Sequence, residues 1–286
     1  MRVVVVGASG FLGRHILAAL ASRGLETVAT SRSGAVAQAS AGQETLALDL
    51  AAPPADPFAA LGRPDVVVHL AWGGLPNYRS LHHFETELPA QYAFLAALAR
   101  GGLRRLVVAG TCFEYGMASG PLDEALQPAP ANPYGYAKNA LREQLGHLQA
   151  QTGLALVWAR LFYLYGEGQG ARSLHSQLRA AVAAGERSFP MSGGEQLRDF
   201  LDVREAARLL VALALHAGNV GVVNVCSGRP VSVRGLVEHW IRENGWDIVP
   251  DLGRYPYPDY EPFAFWGDRG KLDRLLGPAA NEEATP

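Results

Sequence analysis

The chain has 286 residues, of which 49% are hydrophobic and 18% charged, and its formal charge is −2. This length allows one large α/β domain with or without a smaller lobe, and the composition excludes a disordered chain. The near-neutral charge excludes a broad basic surface for nucleic acid or anionic membranes. Two cysteines are too few for a disulfide framework and lack metal-ligand spacing, so we expect no bound metal. The apolar run at the amino terminus stops at Gly7, and no membrane-length segment follows, so we expect a cytoplasmic protein.

Short apolar strands alternate with helical patterns in the first part of the chain. Val3–Val6 is an unbroken β-branched run, typical of a strand that is buried on both faces of a parallel sheet. A glycine-rich turn and a helix over Phe11–Arg23 follow it. Further strands are predicted at Glu26–Ser31, Asp65–Leu70, Arg104–Gly110 and Ala155–Leu161, with helices near His82–Arg100 and Tyr134–Thr152. The alternation predicts an α/β fold with a Rossmann-type doubly wound parallel sheet.

After about residue 162 the pattern is less regular. Helices are predicted near Leu174–Ala184, Val203–His216 and Val233–Asn244, between stretches that are rich in glycine and proline. We therefore expect residues 1–162 to form a cofactor-binding domain that includes the catalytic residues. Residues 163–286 are expected to form mainly a smaller C-terminal substrate-binding lobe, with some segments that return to the Rossmann sheet.

The turn after the first strand has glycines at positions 7, 10 and 13, directly before the first helix. Glycines let backbone N–H groups approach a pyrophosphate, and the helix N-terminus adds unpaired donors and a partial positive charge. This context favours a dinucleotide site over a tight turn that binds nothing. The predicted contacts are Gly7, Ser9, Gly10, Phe11, Leu12 and Gly13.

The end of the second strand indicates which dinucleotide is bound. A site that prefers NAD usually has an acid here for the ribose hydroxyls, whereas this chain has Ser31 and Arg32. A guanidinium suits the 2′-phosphate of NADP better than it suits a diol. The alternative is that Arg32 is a solvated surface arginine without a ligand. Asp49, followed by Leu50, either accepts a hydrogen bond from the adenine amino group or belongs to a loop turn.

A candidate catalytic group follows further along the chain. Tyr134 and Lys138 are four residues apart at the start of a predicted helix, so they share one face, and the ammonium is expected to lower the pKa of the phenol. Thr111 comes directly after a strand, at the sheet edge where doubly wound folds bind ligands. The three side chains together indicate proton transfer to or from a substrate oxygen beside a nicotinamide.

At this point the sequence closely resembles the NAD-dependent epimerase/dehydratase family of extended short-chain dehydrogenases over about residues 1–275. The resemblance is carried by the glycine turn, His69-Leu70-Ala71, Thr111-x-x-x-Tyr115-Gly116, Tyr134-x-x-x-Lys138, Arg160–Gly166 and Arg198–Val203. It implies that Thr111 and Tyr134 are catalytic, that Lys138 binds the nicotinamide ribose and that Leu70 and Ala71 lie at the cofactor. It also implies that Phe162 and Arg198 line the pocket of a nucleotide-sugar substrate, with Arg198 on its phosphates. A homodimer built on the helices near His82–Arg100 and Tyr134–Thr152 is implied as well.

The sequence departs from the family's sugar dehydratases directly after Thr111. Those enzymes have a Thr-Asp-Glu sequence at this place, and its two acids drive the elimination of water. This chain instead has Cys112 and Phe113 after Thr111, and Glu114 comes one position too late to match. Elimination is therefore disfavoured. We expect Cys112, Phe113 and Glu114 at the substrate, with Cys112 open to two interpretations: a buried small hydrophobe or an acid near the sugar ring.

The leading hypothesis is NADPH-dependent reduction of a keto group on a nucleotide-linked sugar, specifically a 4-keto-6-deoxyhexose, in surface-polysaccharide or deoxysugar biosynthesis. An NADP preference suits net reduction. One alternative is a nucleotide-sugar 4-epimerase that keeps its cofactor tightly bound. An alternative of another class is a non-catalytic NADP-binding regulator, which would have no need of Tyr134 and Lys138.

Overall fold

The computed structural model describes residues 1–37, 39 and 43–277, so the end of the expected lobe, residues 278–286, lies outside the described part. The strands are β1 Arg2–Val6, β2 Glu26–Ser31, β3 Glu44–Ala47, β4 Val66–His69, β5 Arg105–Thr111, β6 Gly120–Leu122, β7 Ala155–Leu161, β8 Tyr163–Tyr165, β9 Ser188–Pro190, β10 Leu197–Asp202, β11 Gly221–Val225, β12 Pro230–Ser232, β13 Val249–Asp251 and β14 Phe265–Gly267. The α-helices are α1 Phe11–Ala21, α2 Pro57–Ala60, α3 Leu88–Gly101, α4 Pro133–Thr152, α5 Leu174–Ala183, α6 Val203–Leu215, α7 Val233–Asn244 and α8 Gly270–Leu276. A π-helical turn His83–Glu87 precedes α3, and a 3₁₀ helix Cys112–Tyr115 follows β5.

A seven-stranded sheet in the order β11-β7-β5-β4-β1-β2-β3 forms the centre of the molecule, and all of its neighbouring strands are parallel. The strand order reverses at β1, which pairs with β4 on one side and β2 on the other. This confirms the predicted Rossmann-type sheet. In such sheets ligands bind outside the carboxyl ends of the strands at the reversal, which here is the end of β1 and β4.

The core forms a layer on each face of the sheet, and this explains why Val3–Val6 of β1 are all apolar. Val3 and Val5 pack in one layer with residues of α1 and α6, whereas Val4 and Val6 pack in the other with residues of α3 and α4. Successive side chains of a strand point to opposite faces. Where both faces are covered by helices, every side chain is therefore buried and apolar.

Residues after 162 contribute both to this sheet and to smaller ones. β11 pairs with β7 at the edge of the main sheet, and α6 packs against α1. Away from the main sheet, β10 pairs with β8 and β12, β9 pairs with β13, and β6 pairs with β14. A separate apolar cluster joins α5 and α7 through residues such as Leu178 and Trp240.

The predicted elements differ from the observed ones mainly at their ends. The helix expected over Phe11–Arg23 ends at Ala21, and the one near His82–Arg100 begins with the π-helical turn. The strand expected to end at Gly110 includes Thr111. In the described part of the chain, none of the helices combines the length and apolar character that crossing a membrane would take.

We expect Gly13→Ala to destabilise the protein, because the added Cβ would lie 2.4 Å from the Gly7 carbonyl oxygen and 2.7 Å from Ala8 Cα. Both atoms belong to the backbone of the turn, so the turn itself has to move. The free energy of unfolding in urea should fall by about 1–3 kcal/mol. Gly146→Ala is the control: its Cβ would meet nothing within 4 Å, so helix propensity should stabilise α4 by about 0.5–1 kcal/mol. A Gly13→Ala protein as stable as the original would refute this tight packing.

Candidate active site

The glycine turn is shaped by close backbone contacts. Gly7 has φ +86°, and a Cβ there would lie 2.9 Å from the backbone nitrogen of Ala71, so the ends of β1 and β4 touch. Gly10 caps α1 without a side-chain hydrogen bond, and the first turn of the helix contains no acidic residue. The first backbone N–H groups of a helix have no partner within it. The turn therefore fits the pyrophosphate of a dinucleotide, and Ser9, Phe11 and Leu12 lie within it.

The adjacent strand end brings Arg32 to the same edge. The Ala8 N–H donates to the Thr30 carbonyl at 3.0 Å, which ties the glycine turn to the end of β2. The Ser31 hydroxyl donates to the Ala35 carbonyl at 2.9 Å, so it serves the local turn. Arg32 is exposed, and no hydrogen bond or ion pair involves it in the described part of the chain.

Asp49 follows β3 at this edge. The sequence left open whether its carboxylate binds the adenine amino group or forms part of a loop turn. Its Oδ1 accepts the Ala51 N–H at 3.0 Å, which is the bond of an Asx turn. The turn interpretation therefore has direct support, and Leu50 lies within the same turn.

Thr111 ends β5 and begins the 3₁₀ helix as its N-cap. Its hydroxyl accepts the Phe113 N–H at 3.3 Å, and its own N–H donates to Glu114 Oε1 at 2.9 Å. This reciprocal pair is a capping box, which pairs the backbone donors at the start of a helix. Thr111 is thereby fixed at the carboxyl edge of the sheet.

Glu114 has a different role from the one expected, because its carboxylate is turned into the protein. It is fully buried and accepts hydrogen bonds from Trp158 Nε1 at 2.9 Å, from Arg160 Nε at 2.8 Å and from the Thr111 N–H. Both carboxylate oxygens are occupied. The structure therefore corrects the expectation that Glu114 contacts the substrate.

The N-terminus of α4 places Tyr134 beside this strand end. Asn132 caps the helix by accepting the Gly135 N–H at 2.9 Å, and Pro133 occupies its first turn. A Cβ on Gly135 would lie 2.5 Å from the Phe113 carbonyl oxygen, so the glycine allows α4 to contact the 3₁₀ helix. The structure thus brings Thr111 and Tyr134 to the same strand end, where the Thr111 hydroxyl acts to lower the pKa of the phenol.

Four rings surround Tyr134, and we call them the aromatic shell: Trp72, Tyr78, His83 and Phe113. Their centroids lie 6.0, 5.6, 5.3 and 6.2 Å from that of Tyr134, respectively. Tyr260, from the loop before β14, packs on both Tyr78 and Phe113. Of these residues only Phe113 was expected from the sequence.

Burial has opposite effects on the two titratable members of the site. It raises the pKa of Tyr134 well above the ordinary value, with a smaller opposing effect from the Thr111 hydroxyl. Burial lowers the pKa of Lys138 to about 7, although the charges of Glu114 and Glu87 act in the opposite direction. The expectation that Lys138 lowers the pKa of Tyr134 is therefore corrected. The Lys138 ammonium instead donates to the Ala109 carbonyl at 2.8 Å and lies 4.0 Å from the centroid of Trp72.

Cys112 and Phe162 lie in an apolar cluster with Tyr115, Leu122, Cys226 and Phe265. Burial raises the pKa of the Cys112 thiol, which keeps it protonated and uncharged. The arrangement supports the interpretation of Cys112 as a buried small hydrophobe, and it gives Phe162 a packing role. Contacts of these two residues with a substrate stay predictions.

Arg198 is buried and already paired. Its guanidinium donates to the carbonyls of Leu197 and Phe263 at 2.8 and 3.0 Å and to Glu261 Oε1 at 2.7 Å. Glu261 also accepts a hydrogen bond from the Tyr163 hydroxyl. Glu261 occupies one amino group of the guanidinium, and a contact between Arg198 and the substrate phosphates stays a prediction.

A buried polar chain on the other side of Lys138 was not predicted. Gln91 accepts from His69 Nε2 at 2.6 Å and donates to Glu87 Oε2 at 2.8 Å, and Glu87 Oε1 pairs with His82. Burial, reinforced by the charge of Lys138, lowers the pKa of His69 to about 4, so its ring is neutral at pH 7. The motif His69-Leu70-Ala71 was recognised, but its buried partners lie more than ten residues away in the sequence.

A cavity of about 600 Å³ lies in the lobe, between α5 and the paired strands β9 and β13. Ala180 and Ala181 of α5 line it opposite Phe189 and Asp251 of the two strands, and no member of the aromatic shell does. Within the residues that the structure describes, histidine, cysteine and acidic side chains form no group of three that would hold a metal ion.

Comparison with known proteins places this geometry among nucleotide-sugar enzymes. The profile of the NAD dependent epimerase/dehydratase family matches residues 3–226. The chain is 31% identical to dTDP-6-deoxy-L-talose 4-dehydrogenase (NAD(+)) of Aggregatibacter actinomycetemcomitans, over 93% of this chain and 99% of that one. It is 32% identical to dTDP-6-deoxy-L-talose 4-dehydrogenase (NAD(P)(+)) of Kitasatospora kifunensis, over 90% and 83%. The solved structure of MoeE5 in complex with UDP-glucuronic acid and NAD is 28% identical, with a TM-score of 0.82 and coverage of 97% and 93%.

We expect Glu114→Gln to destabilise the fold by about 3–5 kcal/mol, because it leaves the Arg160 guanidinium buried without an opposite charge. Urea unfolding measures the loss. The control is Glu238→Gln, which breaks the exposed pair with Arg234 and should leave the stability almost unchanged. A Glu114→Gln protein with unchanged stability and a raised KM would instead assign Glu114 to the substrate.

Proposed function

The chain belongs to the NAD-dependent epimerase/dehydratase family, and on this basis we propose that it reduces the 4-keto group of a nucleotide-linked 6-deoxyhexose with NADPH. The observation that carries the proposal is the placement of Thr111 and Tyr134 together at the carboxyl end of β5, on the sheet edge that holds the glycine turn. A bound nicotinamide cofactor would supply the hydride. From the resemblance we also infer a homodimer that pairs α3 and α4 of two copies.

Tyr134 is the proposed proton donor to the substrate oxygen. Because burial raises its pKa, the phenol keeps its proton at pH 7, and reduction of a ketone requires that proton. The Thr111 hydroxyl, which the capping box fixes, would donate a hydrogen bond to the same oxygen. Lys138 would hold the nicotinamide ribose through its ammonium.

The aromatic shell supports a 6-deoxy sugar as the substrate. Tyr78 and Phe113 present ring carbons beside Tyr134, and a methyl group at C6 packs against such carbons without an unpaired polar atom. Two relatives of this chain are named for the 4-dehydrogenation of dTDP-6-deoxy-L-talose, which is the reverse of a 4-keto reduction.

NADP is the proposed cofactor because Arg32 is exposed and unpaired at the end of β2 in the described part of the chain. A guanidinium in that place gains most from a phosphate dianion on the adenosine ribose. One relative is named as NAD(P)(+)-dependent and another as NAD(+)-dependent, so the choice within this family depends on local residues.

The proposal is tested by incubating the protein with NADPH and a panel of nucleotide-linked 4-keto-6-deoxyhexoses that differ in base and stereochemistry. We expect stoichiometric loss of reduced nicotinamide and a 4-hydroxy sugar as the product. Turnover of a 4-hydroxy nucleotide sugar to its 4-epimer without net use of added NADPH would show a 4-epimerase. Binding of NADPH without conversion of any sugar would support the non-catalytic regulator.

We expect Arg32→Ala to weaken NADP binding by about 10- to 150-fold, since a lost charge-assisted phosphate contact is worth about 1.5–3 kcal/mol. Calorimetric titration should show NAD affinity nearly unchanged. Arg23→Ala, which removes an exposed arginine near the end of α1, is the control and should affect neither cofactor. An equal loss of affinity for both cofactors would reject the NADP assignment.

We expect Tyr134→Phe to lower kcat by about 10²–10⁴-fold, because it removes the proton donor and keeps the ring that the shell packs against. Thr111→Val should lower kcat by a smaller factor. For Tyr134→Phe, thermal unfolding and NADPH affinity should stay close to those of the original protein. The control is Tyr136→Phe, which changes an exposed tyrosine of the same helix and should leave kcat intact. Near-normal turnover by Tyr134→Phe would exclude this mechanism.

A further inference from the structure

Trp72 contacts both Tyr134 and Lys138, and neither the sequence motifs nor the proposed chemistry assigns it a role. The Lys138 ammonium lies 4.0 Å from the centroid of its indole ring. The same indole packs against Tyr134 with its plane at 72° to the phenol ring. One side chain therefore contacts the proposed proton donor and its neighbouring cation.

His83 fixes the orientation of the indole. Trp72 Nε1 donates to His83 Nδ1 at 3.0 Å, and an indole N–H can only donate, so Nδ1 accepts. The other ring nitrogen, Nε2, then carries the hydrogen and donates to the Asn77 carbonyl at 2.9 Å. His83 is completely buried and both of its ring nitrogens are hydrogen-bonded, so the ring is held in one orientation. The plane of Trp72 is fixed through these two bonds.

The ammonium of Lys138 depends on its contacts because it is removed from water. Its side chain is buried, and burial disfavours the charged form of a lysine. The Ala109 carbonyl and the face of Trp72 both favour the charged form. A cation over an indole face gains more when it is desolvated than when it is exposed, so the contribution of Trp72 is large at this position.

We propose that Trp72, oriented by His83, is a positioning residue that keeps Lys138 charged at the cofactor edge and holds the ring of Tyr134 in place. This inference rests on the proposed function for its effect on turnover. Its effect on the ionisation of Lys138 is independent of any substrate.

The proposal predicts the direction in which the pKa of Lys138 changes when Trp72 is replaced. Four titratable groups lie near the ammonium of Lys138. They are Glu114 of the 3₁₀ helix, Glu87 of the π-helical turn, His69 of β4 and Tyr134 of α4. The two carboxylates favour the charged form, and His69 is neutral. Removing the indole face removes stabilisation of the ammonium alone, so the pKa of Lys138 should fall. Activity that requires the charged lysine should then be lost at a lower pH.

The chain allows a direct measurement, because Lys138 and Lys271 are its only lysines. Protein labelled with ¹³C at lysine Cε gives two resonances, which Lys271→Arg assigns. In a pH titration we expect Trp72→Leu to lower the pKa of Lys138 by about 0.5–1.5 units, from the usual range of cation–π energies. Trp72→Phe, which keeps a ring face and loses the bond to His83, should lower it less. The Lys271 resonance is the internal control, since its ammonium is held by the carbonyls of Val220 and Val222.

Turnover gives the second measurement. At pH values above the pKa of Lys138, Trp72→Leu should lower kcat by about 3- to 30-fold. This factor corresponds to the expected decrease in the pKa of Lys138. The KM for the sugar should change little, and Trp72→Phe should restore part of kcat. Trp246→Leu, which truncates a tryptophan in the lobe, is the control and should leave the pH profile in place.

The outcomes separate this inference from the proposed function. An unchanged Lys138 pKa and an unchanged pH profile in Trp72→Leu would overturn the inference even if the protein reduces keto sugars. A lowered Lys138 pKa in a protein that reduces no keto sugar would support the inference and reject the proposed function.

Discussion

The buried carboxylate of Glu114 joins the two strands on which the candidate site depends. It accepts the N–H of Thr111 at the end of β5 and binds Trp158 and Arg160 of β7. A buried charge is stable only when it is paired and hydrogen-bonded, so this carboxylate holds the strand end in one arrangement. The 3₁₀ helix then starts at Thr111, and its Phe113 carbonyl meets Gly135 of α4. Tyr134, next to Gly135, takes its position relative to Thr111 from this contact.

The same burial prepares the two titratable groups for different tasks. Desolvation disfavours any charge, so it raises the pKa of a phenol and lowers the pKa of an amine. Near pH 7, Tyr134 is therefore protonated, whereas Lys138, with its pKa of about 7, is close to half charged. Small contributions from neighbours then decide the ionisation of Lys138. The ring face of Trp72 on one side and the Ala109 carbonyl on the other are two such contributions.

The features that could be predicted from the sequence are those determined by neighbours in the sequence. The apolar run of β1 and the glycines after it predict the central strand and the phosphate turn, because pleat and backbone sterics act over a few residues. Tyr134 and Lys138 were found for the same reason, since one helical turn separates them. Apart from Phe113, the aromatic shell could not be found in this way. Trp72, Tyr78 and His83 follow β4, and Tyr260, which packs on the shell, comes near the end of the chain, so only the folded sheet brings them to Tyr134.

Glu114 differs from the aromatic shell, because its orientation is encoded locally. Thr111-Cys112-Phe113-Glu114 has the Thr-x-x-Glu spacing of a capping box, which predicts that the glutamate turns back toward the first residue and not outward to a ligand. Gly110 adds a second signal, since a Cβ there would lie 2.4 Å from Trp158 Nε1 and 2.8 Å from Glu114 Oε1. A glycine in a strand often indicates that another group approaches the backbone closely. The spacing and the glycine together explain why Glu114 turns inward and stabilises the end of β5.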